Sequence, residues 1–228
     1  PGMVAHFDVS REKSIKAVEA AMMTEQKIFL TAQKDVEIEE PGIDDLYRIG
    51  IIAEIKQVIK LQNNIVRILV EGGERAELSA FLENPEYLLG EIVRFDEEID
   101  DGLPEEAKAA MVRSIQETFG KYATVNPKIG KELGRQLNEI TDIEKLMDQL
   151  ANSLPVRYEE KQKILEAISL TERYEVLMAL LLKEIEIIAL KNDFQAKVKE
   201  RVDKNQKEYI LREQLKVIRE ELGEGNTE

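Results

Sequence analysis

The chain has 228 residues, with 32 Lys and Arg against 46 Asp and Glu for a formal charge of −14, no Cys, no Trp and a single His. Without Cys there is no disulfide framework, no thiolate nucleophile and no Cys-based zinc or iron–sulfur centre, which fits a reducing, cytoplasmic setting. The length and a hydrophobic content of 43% suit a well-cored protein of one or two domains, while the longest apolar run, Val176 to Leu182, is far shorter than the roughly 18 residues a membrane span requires.

Charge and periodicity change together at Pro104, with 11 basic and 22 acidic residues before it and 21 basic and 24 acidic from it onward. Three units are predicted: a β-rich domain over 1–103, a helical bundle over 104–190 and a projecting helix over 191–228. Val4 to Val9 reads as a strand, Arg11 to Met23 as a helix capped by Ser10, and Lys27 to Gln33 as a second strand, a β-α-β opening. Ile51, Ala53, Ile55, Ile59 and Leu61 then alternate with polar residues up to Asn63-Asn64, a pair suited to the left-handed backbone of a hairpin turn. Val66, Ile68 and Val70 form the return strand. Gly72-Gly73 interrupts it as a bulge would, Ala76 to Leu82 continues it, and Glu91 to Glu97 adds a last strand.

Past Pro104 the spacing becomes helical, with Met111, Ile115 and Phe119 on one face and Ile143, Leu146, Met147, Leu150 and Leu154 on another. Thr141-x-x-Glu144 and Ser169-x-x-Glu172 match capping boxes at helix starts. Between Thr171 and Gly223 there is neither Gly nor Pro, so one helix of about 52 residues, roughly 78 Å long, is permitted. Leu177, Leu181, Ile185 and Ile188 suit a bundle core. Beyond them Phe194, Val198 and Val202 form a thinner seam, and after a polar gap Leu211, Leu215, Ile218 and Leu222 repeat in the 4-3-4 steps of a coiled coil. The finely mixed charges from Lys191 to Arg219 read as a solvated face; the apolar seam calls for a partner.

Catalytic motifs are absent. No G-x-x-x-x-G-K-[ST] phosphate loop occurs, and Gly72-Gly73 stands between Glu71 and Glu74, which repel phosphate. The acidic run from Asp96 to Gly102 has its Gly one place late for a calcium loop and Ala107 where the terminal Glu belongs, so it reads as a solvated connector. His6 has no companion ligands, no Ser lies in a G-x-S-x-G elbow, and the grouped carboxylates Glu37, Glu39 and Glu40 are unremarkable in a chain so acidic. A sheet half at −11 with no alternation of aromatic and basic residues is a poor surface for nucleic acid.

Met3 to Val9 with Arg11-Glu12-Lys13-Ser14, Ile28-Phe29-Leu30 with Ala32-Gln33-Lys34, Ile65 to Gly72 with Arg75-Ala76, and above all Glu208-Tyr209-Ile210-Leu211-Arg212-Glu213-Gln214-Leu215-Lys216 together resemble the N-terminal region of bacterial Lon ATP-dependent proteases. The resemblance spans essentially the whole chain. It departs from the family where an L-P-L-R-like first strand would precede Pro1-Gly2, and at Asn63-Asn64, which stands in for a Pro-Gly-type turn. The opening without an initiator Met predicts a piece of a longer protein, one that stops before the family's ATPase and Ser-Lys protease modules.

What the resemblance implies is an α+β fold: a mixed β pseudobarrel of PUA-like type, a helical bundle and a long coiled-coil-like helix leading to a hexameric ring. It also implies a non-catalytic arm for recognising unfolded or damaged proteins in quality control and stress response, with ATP and Mg bound elsewhere in the parent. No cofactor, metal or catalytic residue is expected here. The candidate client-binding residues are Met3, Val4, Tyr87, Leu88 and Leu89, near expected strand ends where side chains can leave the core, although each also suits plain packing. The candidate assembly seam is Phe194, Val198, Val202, Leu211, Leu215, Ile218 and Leu222. The competing readings are a purely structural spacer that joins copies of the chain, an independent hydrolase and a nucleic-acid-binding module.

Overall fold

The computed structural model describes residues 1–95 and 101–223. The core of the acidic connector, 96–100, and with it the expected end of the last strand at Glu97, lie outside the described residues, as do residues 224–228.

Five strands come first: β1 (Val4–Val9), β2 (Lys27–Leu30), β3 (Ile49–Lys60), β4 (Val66–Leu82) and β5 (Leu89–Arg94), with α1 (Glu12–Met22) between β1 and β2. All of their pairings are antiparallel, in the order β1-β4-β3-β2 with β5 also on β4. The β-α-β opening therefore does not make a parallel pair: α1 carries the chain across one face of the sheet, from β1 at one edge to β2 at the other. Val18 and Ala21 of α1 are buried there with Ala53, Ile55, Val66, Ile68 and Val70, the inward row that period-2 alternation demands. Asn63 and Asn64 adopt φ of +62° and +57°, the left-handed turn that joins β3 to β4. The register of β3 against β4 slips between Ile51 and Ala53, opposite Arg75 and Gly72, so the Gly72-Gly73 interruption is a bulge within one long strand.

The start of α1 differs from expectation. Its N-cap is Arg11, with no side-chain cap hydrogen bond, and Ser10 lies one residue outside. The strand that begins at Lys27 ends at Leu30; Gln33 forms only an isolated bridge to Leu46.

The helices are α2 (Glu105–Val125), α3 (Pro127–Asn138), α4 (Ile143–Ser153), α5 (Tyr158–Glu166) and α6 (Leu170–Glu221). Their core holds Ile115, Phe119, Tyr122, Leu137, Leu146, Met147, Leu150, Leu177 and Leu181, all nearly inaccessible. Ile185 and Ile188 pack against its margin. Ser169 caps α6 by accepting from the Glu172 N–H at 3.2 Å. At α4 the cap is Asp142, which accepts from the Lys145 N–H at 2.8 Å, and not the adjacent Thr141. The carboxylate of Asp142 provides the same acceptor one residue later and adds a charge suited to the positive helix end.

Helix α3 contains Gly130 and Gly134, which weaken its sequence signal. Gly130 is required by packing: a Cβ there would run into the backbone and Cβ of Ala123 on α2, whereas one at Gly134 would make ordinary contact with the Phe119 ring at 3.6 Å. Gly130→Ala is therefore expected to destabilise the protein by about 1–3 kcal/mol, because a clash with backbone cannot rotate away. Gly134→Ala is expected to stabilise by up to about 1 kcal/mol through helix propensity. Urea unfolding midpoints at unchanged slope test both signs.

Candidate functional site

Strands β1 and β5 lie end to end along one edge of β4. β3 occupies the other edge from Val66 to Glu77, leaving β1 to pair with Val66 to Glu71 and β5 with Ala76 to Leu82. Met3 and Val4 fall at the inner end of β1. The Met3 carbonyl accepts from the Gly72 N–H at 2.8 Å, and Val4, opposite Glu71, is 62% exposed. Tyr87, Leu88 and Leu89 fall at the far end, after a turn in which Asn84 Oδ1 accepts from the N–H groups of Glu86 and Tyr87. Tyr87 and Met3 are half-buried, while Leu88 and Leu89 are exposed. Glu71 and Leu82 are eleven positions apart on β4, on the order of 35 Å of strand. The five residues are thus two separate clusters and not one patch.

Two further residues join them. Leu82, paired with Leu89 and 47% exposed, completes a leucine corner with Leu88 and Leu89. Phe7 is paired with buried Ile68, which is paired in turn with Val58, so an apolar row crosses three strands and ends on a ring 45% exposed at the sheet edge. The alternation Ala5, Phe7, Val9 marks Phe7 as inward-facing, but the lack of a covering strand is a tertiary fact. The opposite face is polar. Arg67 makes a two-pronged bond to Asp8 at 2.6 and 2.9 Å, holding that carboxyl below its ordinary pKa, and Lys56 bridges Glu54 and Glu71. His6, opposite Leu69, is an exposed strand residue.

The sheet is mounted on the bundle through buried polar groups. Arg75 of β4 donates to Asp148 of α4 at 2.7 Å and to the Leu165 carbonyl at 3.3 Å, with both charged side chains about nine-tenths buried. Gln162 of α5 donates to the Ile49 carbonyl of β3 at 3.0 Å. Arg173 of α6 holds the α5–α6 connector that follows, donating to the carbonyls of Ala167 and Ile168. Burial pulls its pKa down, nearby Arg75 adds to that, and Asp148 and Glu144 oppose it.

Beyond the bundle α6 runs free. Its last tie is Asn192, which donates to the Val125 carbonyl at 2.9 Å, and every residue from 189 to 223 is exposed. Phe194, Val198, Val202, Leu211, Leu215, Ile218 and Leu222 are between 45% and 70% exposed. No other part of the described chain covers them. The i,i+4 pairs Asp193–Lys197 and Glu208–Arg212, at 2.8 and 2.7 Å, brace the rod.

Residues 1–183 match the family model described as the ATP-dependent protease La (LON) substrate-binding domain. The chain belongs to the Lon protease family. It is 48% identical over 224 residues to the Lon protease of Lachnoclostridium phytofermentans, covering 98% of this chain and 28% of that protein. Against the Lon protease of Escherichia coli K12 it is 38% identical over 224 residues, again 98% of this chain and 28% of the relative. The chain thus spans less than a third of the length of these relatives. In structure it is similar to the N-terminal domain of Mycobacterium avium complex Lon protease, with a TM-score of 0.62 at 21% identity over 79% of this chain and 90% of that one. The Xanthomonas campestris Lon N-terminal domain gives 0.53 at 15% identity, over 78% and 90%. Those likenesses place an antiparallel sheet followed by helices as the Lon N-terminal fold. Among the described residues no helix is long and apolar enough to cross a membrane.

If the Arg75–Asp148 pair sets how the Lon sheet sits on its bundle, Arg75→Met, which takes from the buried carboxylate its 2.7 Å partner and leaves it only the longer contact to the Pro1 amine at 3.6 Å, is expected to cost about 3 kcal/mol. Arg75→Met combined with Asp148→Leu, which removes both charges, is expected to recover most of it. Denaturant titrations of the four proteins in a double-mutant cycle measure the difference.

Proposed function

We propose that the sheet half captures apolar segments of proteins that have lost their fold and holds them for ATP-driven proteolysis by the rest of a cytoplasmic Lon protease. In this reading the chain binds and does not cleave. ATP, Mg and the Ser-Lys dyad belong to modules elsewhere in the parent, which acts in protein quality control. The observation that carries the proposal is the exposed leucine corner of Leu82, Leu88 and Leu89 on the edge of an otherwise acidic sheet half. Side chains of that size are normally buried, and their exposure at a strand end offers an apolar contact that only a client with its own core open can meet. Phe7, at the end of the inward-facing row, provides a second, smaller apolar contact on the same edge, while Val4 lies on the opposite, polar face beside Glu71. With two weak sites along one edge, affinity depends on a client long enough to reach both. A folded protein presents no such stretch. The charge of −11 on this half favours client segments that pair apolar residues with Lys or Arg.

Titration of the chain with a permanently unfolded protein and with its folded counterpart tests the proposal. Binding to the unfolded form alone is expected, weakened about a hundredfold by Leu88→Ser with Leu89→Ser, since each leucine buried on binding is worth roughly 1.5 kcal/mol or more. Equal and negligible binding to both forms would remove the role.

A further inference from the structure

Among the described residues β1, β2 and β5 each have one flank on which no strand lies. Two of these flanks are blunted. β2 is four residues long, begins at Lys27 and is otherwise half-buried. β5 meets β4 across a register slip between Leu78 and Ala80, carries Glu91 and Arg94, and has its Glu91 carbonyl accepting from the Ser79 hydroxyl at 3.0 Å. β1 differs. It pairs without a slip from Val4 opposite Glu71 to Val9 opposite Val66, contains no proline, and is exposed at four of its six residues. Its one charge, Asp8, is held by Arg67. Shortness, bulges and free charges keep sheet edges from pairing with other chains, and β1 lacks all three.

The phase of the ladder decides what that flank offers. The Met3 carbonyl accepts from the Gly72 N–H at 2.8 Å, and on the far side of β4 the Leu61 N–H donates to the Ile65 carbonyl at 2.8 Å. Antiparallel pairs alternate, so both bonds give one answer: Ala5, Phe7 and Val9 turn their backbone groups to β4, and Val4, His6 and Asp8 turn theirs away. Among the described residues the outward N–H and C=O groups have no backbone partner. Phe7, engaged with β4, sits where an added strand comes closest, with its ring 45% exposed on the core side.

We infer that a client is held at this edge as an added antiparallel strand, an extended segment that pairs its backbone with Val4, His6 and Asp8 and sets an apolar side chain against Phe7. The inference rests on the reading of the sheet edge as client-binding and gives its selectivity a cause. Main-chain groups are common to every sequence, and only a chain that has left its own helices and sheets has them to offer. Charge decides between occupants. Pairing β1 with the β1 of a second copy brings together two sheet halves that each carry 11 basic and 22 acidic residues, whereas a client segment alternating apolar residues with Lys or Arg is attracted.

Amide exchange read by NMR on the whole chain tests this, with a peptide of alternating Val and Lys, long enough to span β1, as the probe. Saturating peptide is expected to slow exchange at Val4, His6 and Asp8 several-fold and to leave Ala5, Phe7 and Val9, already bonded to β4, unchanged. His6→Pro, which removes an outward N–H and no bond to β4, is expected to weaken binding about tenfold, and His6→Ala to leave it unchanged. Retained protection at Ala5 and Val9 checks that the proline variant folds. Peptides altered at the backbone ask the same question without touching the protein. With Val packed on Phe7, the Lys N–H groups face β1, so N-methylation at Lys is expected to abolish binding and N-methylation at Val to preserve it. Peptide binding without added protection at Val4, His6 and Asp8, a folded His6→Pro variant that binds as well as the unaltered chain, or equal affinity of the two methylated peptides overturns the inference. Protection that grows with the concentration of the chain alone names a second copy as the occupant and also overturns it. In any of these cases an unfolded protein that still binds through Leu88 and Leu89 leaves the client-binding role standing without the added strand.

Discussion

The guanidinium of Arg75 is the point at which the two halves of the molecule become one. It leaves the sheet just after the Gly72-Gly73 bulge, where the change of register re-aims β4, and it reaches a carboxylate on α4 and a carbonyl at the end of α5. A charge buried to that degree costs several kcal/mol unless it is paired, so once Asp148 is in place any other seating of the sheet leaves two groups unsatisfied. The bulge, the ion pair and the α5–α6 connector act as a single joint. Arg173 closes that joint from the α6 side, with Nη1 finding no hydrogen-bond partner among the described residues. The orientation of the sheet edge formed by β1 and β5 relative to α6 follows from the joint.

Much of this was legible in the residues. Asn63-Asn64 announced the hairpin because few other residues accept left-handed backbone at low cost, and the lack of Gly and Pro from Thr171 onward permitted the long helix that forms. Local chemistry with a single good solution is readable. Where two neighbours offer equivalent chemistry it is not: Ser10 against Arg11, and Thr141 against Asp142, are decided by how the following helix seats in its core. Helices α3 and α5 were missed for a similar reason, since Gly130 and Gly134 weaken one and the other has only nine residues. The joint itself was invisible, because Arg75 and Asp148 are 73 positions apart and each reads alone as an ordinary surface charge.

The candidate edge was half readable. Leu88, Leu89 and Val4 are legible by their place at strand ends, but their separation to opposite ends of the β4 edge follows only from the pairing of β1 and β5 on that strand. Phe7 and Leu82 escaped notice because alternation tells which face a side chain takes and not whether a neighbouring strand covers it. Sheet edges are where apolar exposure accumulates. A central strand covers its neighbours on both flanks, whereas β1 and β5 each rest on β4 alone, and in Val4–Val9 the one charge, Asp8, is held by Arg67 on the polar face and leaves the Phe7 side of the edge apolar.

A helix that stands free over some thirty residues needs a reason not to fray. Nucleation is the costly step, and here it is completed inside the bundle, where Leu170, Leu177 and Leu181 are fixed before the exposed part is reached. Extension then adds one hydrogen bond per residue, helped by residues of good helix propensity and by the i,i+4 pairs Asp193–Lys197 and Glu208–Arg212. The rod can therefore exist before any partner covers it. Its apolar stripes are presented already ordered, so a partner that docks does not bear the entropy of folding the helix, and even a narrow stripe of four side chains becomes a usable contact.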